Sequence, residues 1–311
     1  MSSEPVMKDG LLLIDKAPGL TSHDVVQKVR RLLRQKKIGH CGTLDPDATG
    51  LLLLTLGTAT RLTRFLIRAP KVYEGEIRFG VATDTYDASG RVVHTADPAE
   101  VAALDRERVA AAMAASTGAI EQQPPPFSAK KINGVKFYEL ARRGEEVPAG
   151  AKEITVYEFE PRGELVSGLL GFRLACSSGT YARALAHDLG TALGVGAHLC
   201  RLRRTQIGSF RVDSAIGTDR LEELTRAGEP AATAWVPFDE IPLPFGEVTA
   251  DPQQESRISH GQSVIVRELD AGEGDWVKLV NRRRELVAIG TVVERIGSGG
   301  VGLVQPKVVF R

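Results

Sequence analysis

The chain has 311 residues, of which 42% are hydrophobic and 25% charged, a composition typical of a globular protein of roughly two domains. Its formal net charge of +1 excludes attraction of a polyanion by overall charge. The three cysteines form no CxxC spacing, which excludes a disulfide framework or zinc knuckle and favours reduced thiols and a cytoplasmic location. The N-terminus lacks a signal-peptide pattern, and no apolar run approaches the ~20 residues that span a bilayer, so we expect no membrane association.

Basic residues are nevertheless clustered along the chain. Residues 27–37 contain six basic and no acidic side chains, residues 201–211 contain four and none, and a third cluster is Arg282-Arg283-Arg284. Acidic residues collect in three other segments, 97–107, 219–229 and 268–275. One basic run alone is typical of a solvated surface, but segregation from the acidic segments is also consistent with a basic face for RNA or phosphate.

Hydrophobic periodicity predicts four elements before residue 70. They are a strand at 10–15, an amphipathic helix over about 23–34 capped by Thr21 or Ser22, a buried strand at 51–57, and a short helix at 60–67. The amphipathic helix carries apolar residues on one side and basic residues on the other, which would suit a polyanionic partner.

Further elements follow as far as Gly194, a typical left-handed helix end. They are strands at 72–80, 153–160 and 169–177, and helices at 105–117 and about 180–193. From about 213 to 246 the pattern breaks into Pro, Gly and acidic turns. Short strands then follow at 263–266, 276–280, 286–293 and 301–309. We therefore expect a domain boundary near 245 and a small all-β domain behind it.

The segment 39–50, GHCGTLDPDATG, combines three glycines, a proline, a histidine and two carboxylates beside a buried strand, where functional groups are common. A calcium loop beginning at Asp45 would need a bidentate carboxylate at its twelfth position, which is Leu56, so calcium is disfavoured. Asp45-x-Asp47-x-Thr49 also matches the start of haloacid-dehalogenase-like phosphatases. In those enzymes the motif follows an apolar strand, whereas here the apolar strand comes after it.

Five segments between about residues 10 and 210 carry a more specific pattern. They are LIDKAPGLTS at 13–22; GHCGTLDPDATG at 39–50; Lys71-x-Tyr73 with TDTYDASG at 83–90; Gln123-x-Pro125-Pro126-x-Ser128-Ala129-x-Lys131-x-x-Gly134 with Tyr138, Ala141-Arg142 and Gly144; and CSSGTYAR at 176–183 with GAHLCRLRR at 196–204. They resemble, in the same order, the motifs of the TruB family of pseudouridine synthases. The tail, with Gly261-Gln262, LVAIG at 286–290 and PKVV at 306–309, is similar to a PUA domain.

The resemblance implies an isomerase that converts uridine 55 in the T-loop of tRNA to pseudouridine without a metal or other cofactor. It implies three catalytic residues: Asp45 as the nucleophile, Arg183 as the cation that keeps Asp45 ionised, and Tyr73 as the ring that stacks on the target base and takes a proton. The uridine must be flipped out of the T-loop before Asp45 can reach it.

Four further residues are implied in substrate binding. His40 would fill the gap that the flipped base leaves in the stack, Lys16 would support the active-site loop or bind an RNA phosphate, and Tyr181 and Leu202 would line the pocket. Two positions depart from the family pattern. Cys41 stands where Thr is more usual, and Asp47 stands where bacterial members have an apolar residue; we expect the Asp47 side chain to point to solvent.

The fold implied is α+β, with a catalytic domain at 1–245 built on a mixed, mostly antiparallel sheet and a PUA-like β domain at 246–311. The implied partner is tRNA, bound at its T-arm and acceptor end by a monomer that needs no guide RNA. Two alternatives remain. A guide-RNA-dependent catalytic subunit usually has a longer segment before the DKxPG motif, which begins here at Asp15. A non-catalytic tRNA-folding factor would need neither Asp45 nor Tyr73.

Overall fold

The computed structural model describes residues 7–126, 131–132, 135–136, 150–229, 231–297 and 300–310, with the backbone alone at 131–132 and 135–136. Most of the fourth motif, including Ser128, Gly134 and Tyr138, lies outside the described residues. Within these ranges, no helix has the length and apolar character needed to cross a membrane.

The described residues contain twenty strands. In chain order they are β1 (Gly10–Lys16), β2 (Ile38–His40), β3 (Thr49–Leu56), β4 (Lys71–Phe79), β5 (Val81–Thr83), β6 (Val92–Thr95), β7 (Gly118–Gln122), β8 (Lys131–Ile132), β9 (Val135–Lys136), β10 (Lys152–Val166), β11 (Leu169–Cys176), β12 (Ala197–Ile207), β13 (Phe210–Arg211), β14 (Ile216–Gly217), β15 (Trp235–Pro237), β16 (Gly246–Thr249), β17 (Val264–Val266), β18 (Trp276–Val280), β19 (Leu286–Ile296) and β20 (Val301–Val309).

Eleven of these strands form the main sheet. Eight follow the order β14-β1-β3-β12-β4-β11-β10-β7, and β2, β13 and β15 pair with β3, β12 and β1. Along the main path only β1–β14 and β3–β12 are parallel, so the prediction of a mixed, mostly antiparallel sheet is confirmed. The residues from Leu51 to Leu54 are fully buried. Burial on both faces explains why this strand is continuously apolar instead of alternating.

Seven α-helices accompany the strands in the described part of the chain: α1 (Ser22–Leu32), α2 (Thr63–Leu66), α3 (Pro98–Ala102), α4 (Arg106–Ala115), α5 (Ala182–Ala192), α6 (Thr218–Ala227) and α7 (Pro252–Ser259). Thr21 caps α1: the Asp24 N–H donates to Thr21 Oγ1 (3.1 Å), and the Thr21 N–H donates to Asp24 Oδ2 (2.9 Å). Gly194 is left-handed after α5, with φ +83°, as predicted. The expectation of a short helix at 60–67 is met in part, since a 3-10 helix at Gly57–Leu62 precedes α2.

Three helices, α3, α6 and α7, were missed in the sequence. Helix α6 occupies a segment predicted to be turns. It was missed because its sequence is rich in charged residues and its apolar face is narrow, with Leu221 buried. Helix α7 lies in the segment predicted to be all-β. It begins with a capping box in which Asp251 and Gln254 each bond the other's backbone N–H at 2.8 Å.

The five C-terminal strands form a second sheet in the order β16-β18-β19-β20-β17. This sheet packs against the main sheet through a shared apolar cluster that includes Leu286, Ile289 and Val308. Aromatic rings extend the contact, because Phe65 lies edge-on to Trp276 with ring centroids 5.0 Å apart. The two sheets therefore share buried apolar surface and contribute to one hydrophobic core.

Candidate active site

A cavity of about 560 Å³ opens between the main sheet and the start of α5, within the range of ordinary ligand sites. The loop after β2, strands β4 and β12, and the N-terminus of α5 all contribute to its wall. The lining residues include Asp45, Tyr73, Tyr181, Arg183, Leu202 and Arg204. The structure thus brings together five residues that the sequence predicted: Asp45, Tyr73, Arg183, Tyr181 and Leu202. His40 and Lys16 lie outside the cavity lining.

The Asp45 loop is attached to the preceding motif on both sides of Asp45. The Leu44 N–H donates to Ser22 Oγ (2.9 Å), and the fully buried Lys16 ammonium donates to Pro46 O (2.8 Å). Lys16 Nζ also donates to Ala17 O (2.9 Å) and Leu20 O (2.7 Å), so its three hydrogens are engaged. Lys16 therefore binds the active-site loop in this structure, and its ammonium has no hydrogen left over for an RNA phosphate.

Arg204 also binds the same loop. Its guanidinium is almost fully buried and donates to Leu51 O (2.7 Å) and Gly42 O (3.1 Å). At Gly50, with φ +97°, a Cβ atom would lie 2.3 Å from Arg204 O, so only glycine fits. Arg204 belongs to the basic run 201–211, but its side chain does not reach the surface and so cannot form part of a basic face for RNA.

Arg183 projects from the first turn of α5 and binds Asp45 with two nitrogens. Nε lies 2.9 Å from Asp45 Oδ2, and Nη2 donates to Oδ1 at 3.3 Å. The Arg183 side chain is buried, whereas 47% of the Asp45 side chain remains exposed and faces the cavity. The predicted ion pair is therefore present, in the bidentate geometry that arginine favours.

Asp87 is a further member of the site that the sequence did not assign. Its Oδ2 accepts from Arg183 Nη1 (3.0 Å), and its Oδ1 accepts from Thr85 Oγ1 (2.7 Å), the Ser89 N–H (3.1 Å) and Ser89 Oγ (2.6 Å). The TDTYDASG motif therefore folds into a loop that presents one fixed carboxylate to Arg183. The signal in the sequence was a carboxylate surrounded by Thr and Ser, the residues that form such loops.

Burial raises the pKa of Asp45, and the neighbouring Asp87 carboxylate raises it further, while the Arg183 guanidinium opposes both effects. Asp47 also raises the pKa of Asp45, though by less. Its side chain is exposed, so the expectation that Asp47 points to solvent is met. Arg183 therefore favours the ionised form of Asp45 against the effects of burial and of Asp87.

Tyr73 lies on β4 opposite Arg204 of β12 and is 9% exposed. Burial raises the pKa of the Tyr73 phenol, although Arg204 opposes the shift, so the phenol is protonated at neutral pH. Its position in the cavity wall agrees with a ring that stacks on a base. A protonated phenol is a hydrogen-bond donor, which agrees less well with the predicted role as proton acceptor.

The start of α5 is fixed by a residue that the sequence did not single out. The buried Gln122 side chain donates to Tyr181 O (3.0 Å) and accepts from the Tyr181 N–H (2.8 Å). This paired amide contact holds Tyr181 at the cavity and Arg183 two residues later. Leu202, partly buried on β12, supplies an apolar part of the wall.

His40 ends β2, half-buried, five residues before Asp45. Burial lowers its pKa, and Arg204 adds to the shift, so the ring is neutral at pH 7. A neutral, flat ring outside the cavity is compatible with stacking against RNA. Within the described ranges, no three His, Cys, Asp or Glu side chains are grouped as a metal site would require.

Comparisons with known proteins agree with this geometry. Residues 30–182 match the family model of the TruB family pseudouridylate synthase N-terminal domain, and residues 183–240 match that of the tRNA pseudouridylate synthase B C-terminal domain. A relative from Streptococcus thermophilus, named tRNA pseudouridine synthase B, is 42% identical over 89% of this chain and 96% of that protein. A relative of the same name from Geobacter sulfurreducens is 42% identical over 92% of each chain.

Solved structures show the same fold. The chain superposes with a TM-score of 0.75 and 27% identity on a structure titled as a Cbf5-Nop10-Gar1 complex, covering 98% of this chain and 85% of the other. A structure titled as an H/ACA RNP bound to a substrate RNA containing 2'-deoxyuridine gives 0.73 and 25%, over 97% and 85%. The α+β fold with its PUA-like C-terminal sheet is therefore confirmed, and the chain belongs to the TruB family of pseudouridylate synthases.

Proposed function

We propose that this chain isomerises uridine 55 in the T-loop of tRNA to pseudouridine, with Asp45 as the nucleophile. The observation that carries the proposal is the bidentate Arg183–Asp45 pair at a cavity of about 560 Å³. The relatives named tRNA pseudouridine synthase B, spanned by this chain over nearly their whole length, support tRNA as the substrate.

The reaction is balanced within the substrate. The bond between ribose C1' and uracil N1 breaks, uracil rotates, and a bond forms between C1' and C5; C5 loses a proton and N1 gains one. Attack on the ribose and elimination to a glycal both require an ionised Asp45, the form that the Arg183 guanidinium favours. The protonated Tyr73 ring would stack on the base, and Tyr181 and Leu202 would enclose it. The bases around U55 must open first, and His40 would occupy the resulting gap.

A direct test uses the purified protein and an unmodified tRNA transcript, without guide RNA. Pseudouridine at position 55 is expected, and a transcript carrying cytidine 55 should give no product. Product that forms only with a guide RNA would favour the guide-dependent alternative. Normal tRNA binding without product would favour a tRNA-folding factor.

We also propose a monomer that acts in the cytoplasm, where its tRNA substrate and reduced cysteines would be found.

The segment 246–311 is proposed as an RNA-binding domain that contacts the acceptor end. Arg282 and Arg283 are exposed at the β18–β19 turn, while the neighbouring Arg284 pairs with Glu247 at 2.8 Å. Because the two sheets share a core, substitution is a cleaner test than truncation. Arg282→Gln with Arg283→Gln should weaken binding of full-length tRNA but not of an isolated T-arm hairpin. Equal loss for both RNAs would contradict this placement.

A further inference from the structure

The Asp87 loop is attached to α5 at two neighbouring points. Arg183 Nη1 donates to Thr85 O (3.1 Å) and to Asp87 Oδ2 (3.0 Å). Four residues further along α5, the His187 ring stacks on Tyr86, with centroids 3.8 Å apart and planes 11° from parallel. Residues four apart lie on one face of a helix, so a single face of α5 binds successive residues of the loop.

Tyr86 has a backbone conformation that aromatic residues rarely adopt. Its φ is +68°, in the left-handed region, where an L side chain is strained. Such a residue persists only when its surroundings hold it. Here the backbone is held from β12, because the Leu199 N–H donates to Tyr86 O (3.0 Å) and the Ala88 N–H donates to Leu199 O (3.0 Å). The ring stack holds the side chain of the same residue.

The stack joins two neutral rings. Burial lowers the pKa of His187, which its neighbour Asp188 opposes in part, and burial raises the pKa of Tyr86. His187 Nδ1 is buried and has no hydrogen-bond partner among the residues that the structure describes. The His187 ring is therefore placed by its contact with Tyr86 and not by a hydrogen bond through that nitrogen.

We propose that Tyr86 and His187 are a pair of positioning residues, whose ring stack fixes Asp87 against Arg183 and thereby presents Arg183 to Asp45. Because Thr85 and Ser89 occupy Asp87 Oδ1, that carboxylate moves only as the loop moves. Tyr86 directly precedes Asp87, and the conformation of Tyr86 sets the direction of the Asp87 side chain. Loss of the stack would therefore release Asp87 from its position against Arg183. The inference rests on the proposed function, since its effect is on the isomerisation step.

The test compares single-turnover rates on unmodified tRNA. Tyr86→Asn removes the ring but tolerates the left-handed backbone, and should reduce the rate at least tenfold with unchanged tRNA affinity. His187→Ala should act similarly, whereas Tyr86→Phe and His187→Phe keep a stack and should retain most of the rate. Tyr157→Ala, at an aromatic residue 59% exposed on β10, is the matched control and should change nothing.

A double variant distinguishes positioning from a general structural role. If Tyr86 acts through Asp87, Tyr86→Asn combined with Asp87→Ala should be no slower than Asp87→Ala alone. The inference would be overturned if the rate losses of the two substitutions multiplied in the double variant. It would also be overturned if Tyr86→Asn weakened tRNA binding without slowing isomerisation, or if it were as fast as the parent enzyme. A parent protein that forms no pseudouridine would instead contradict the proposed function.

Discussion

The buried ammonium of Lys16 donates a hydrogen bond of 2.8 Å to Pro46 O, the carbonyl directly after the proposed nucleophile Asp45. A charge without solvent exposure is stable here because three main-chain carbonyls accept its hydrogens. Burial lowers the pKa of Lys16, while the Asp47 and Asp45 carboxylates oppose the shift. The DKxPG motif thus acts on the shape of the Asp45 loop.

Lys16→Met should therefore damage stability and chemistry together. Three part-buried hydrogen bonds from the ammonium to main-chain carbonyls would be lost, at a cost of about 2–4 kcal/mol in unfolding free energy, and the single-turnover rate should fall at least tenfold. The Lys16 ammonium is buried and its three hydrogens are engaged within the protein, so the salt dependence of tRNA binding should not change. The exposed Lys36 provides the control, since Lys36→Met should leave the melting temperature unaltered. A lower salt slope for Lys16→Met, with normal stability, would contradict this role.

The rate should depend on pH through Asp45. Its pKa is raised above the ordinary 3.8, so the single-turnover rate should increase with pH and reach half its plateau above that value. Asp47→Asn removes a carboxylate that raises this pKa, and should move the midpoint to lower pH. A midpoint below 3.8, or one that Asp47→Asn moves upward, would show that Asp45 does not control the profile.

The same shift has a consequence for stability. A raised folded-state pKa means that the folded protein holds the Asp45 proton more tightly than the unfolded chain. The resulting stabilisation is present below the unfolded pKa and is lost as pH rises through the folded pKa. The contribution of Asp45 to stability is therefore lowest at neutral pH, the condition in which its ionised form is needed for chemistry.

Local signals made much of the fold predictable. Thr21 and Asp24 are close enough in sequence to show a capping box, and the apolar run of β3 predicts a buried strand. The hydrogen-bond partners of the buried charged residues could not be predicted from such local patterns. Lys16 and Arg204 resemble ordinary surface cations, yet both are buried, because carbonyls from segments 30 and more than 150 residues away accept their hydrogens. Only the assembled sheet creates those contacts.

The site was predictable to a similar extent. Family motifs placed Asp45, Arg183 and Tyr73 in one cavity, but they assigned no role to Asp87. Its contact with Arg183 joins residues 96 positions apart and depends on how a loop meets α5. Helix α6 was missed because charged residues dominate its ten-residue sequence.

Arg183→Met should slow the single-turnover rate on the order of 10²–10³-fold, because Asp45 would lose the cation that favours its ionised form. Arg183→Lys should rescue little, since one ammonium cannot reproduce the planar fork that binds Asp45 and Asp87 together. Arg173 offers a control: its Nε pairs with Glu158 at 2.6 Å on the strands beyond β4, and Arg173→Met should be nearly neutral. A fully active Arg183→Lys enzyme would contradict the importance of the bidentate geometry.

His40→Ala should slow modification roughly 10–100-fold without abolishing it, which corresponds to about 1.4–2.7 kcal/mol of barrier. Its proposed role is to hold the T-loop open around the flipped base, where a few kcal/mol of unstacking are involved. The exposed His94 on β6 is a suitable control, because His94→Ala should leave the rate unchanged. Complete inactivity of His40→Ala with normal tRNA binding would instead indicate a chemical role.

The central claim is that Asp45, and not its neighbour Asp47, carries the chemistry. Asp47 is exposed and two residues away, so the pair provides a matched comparison within one loop. The most direct measurement is the single-turnover rate of pseudouridine formation at position 55 for Asp45→Asn and Asp47→Asn. We expect no product from Asp45→Asn and less than a tenfold loss, under ~1.4 kcal/mol, from Asp47→Asn. An active Asp45→Asn enzyme, or an Asp47→Asn enzyme equally inactive, would contradict the account.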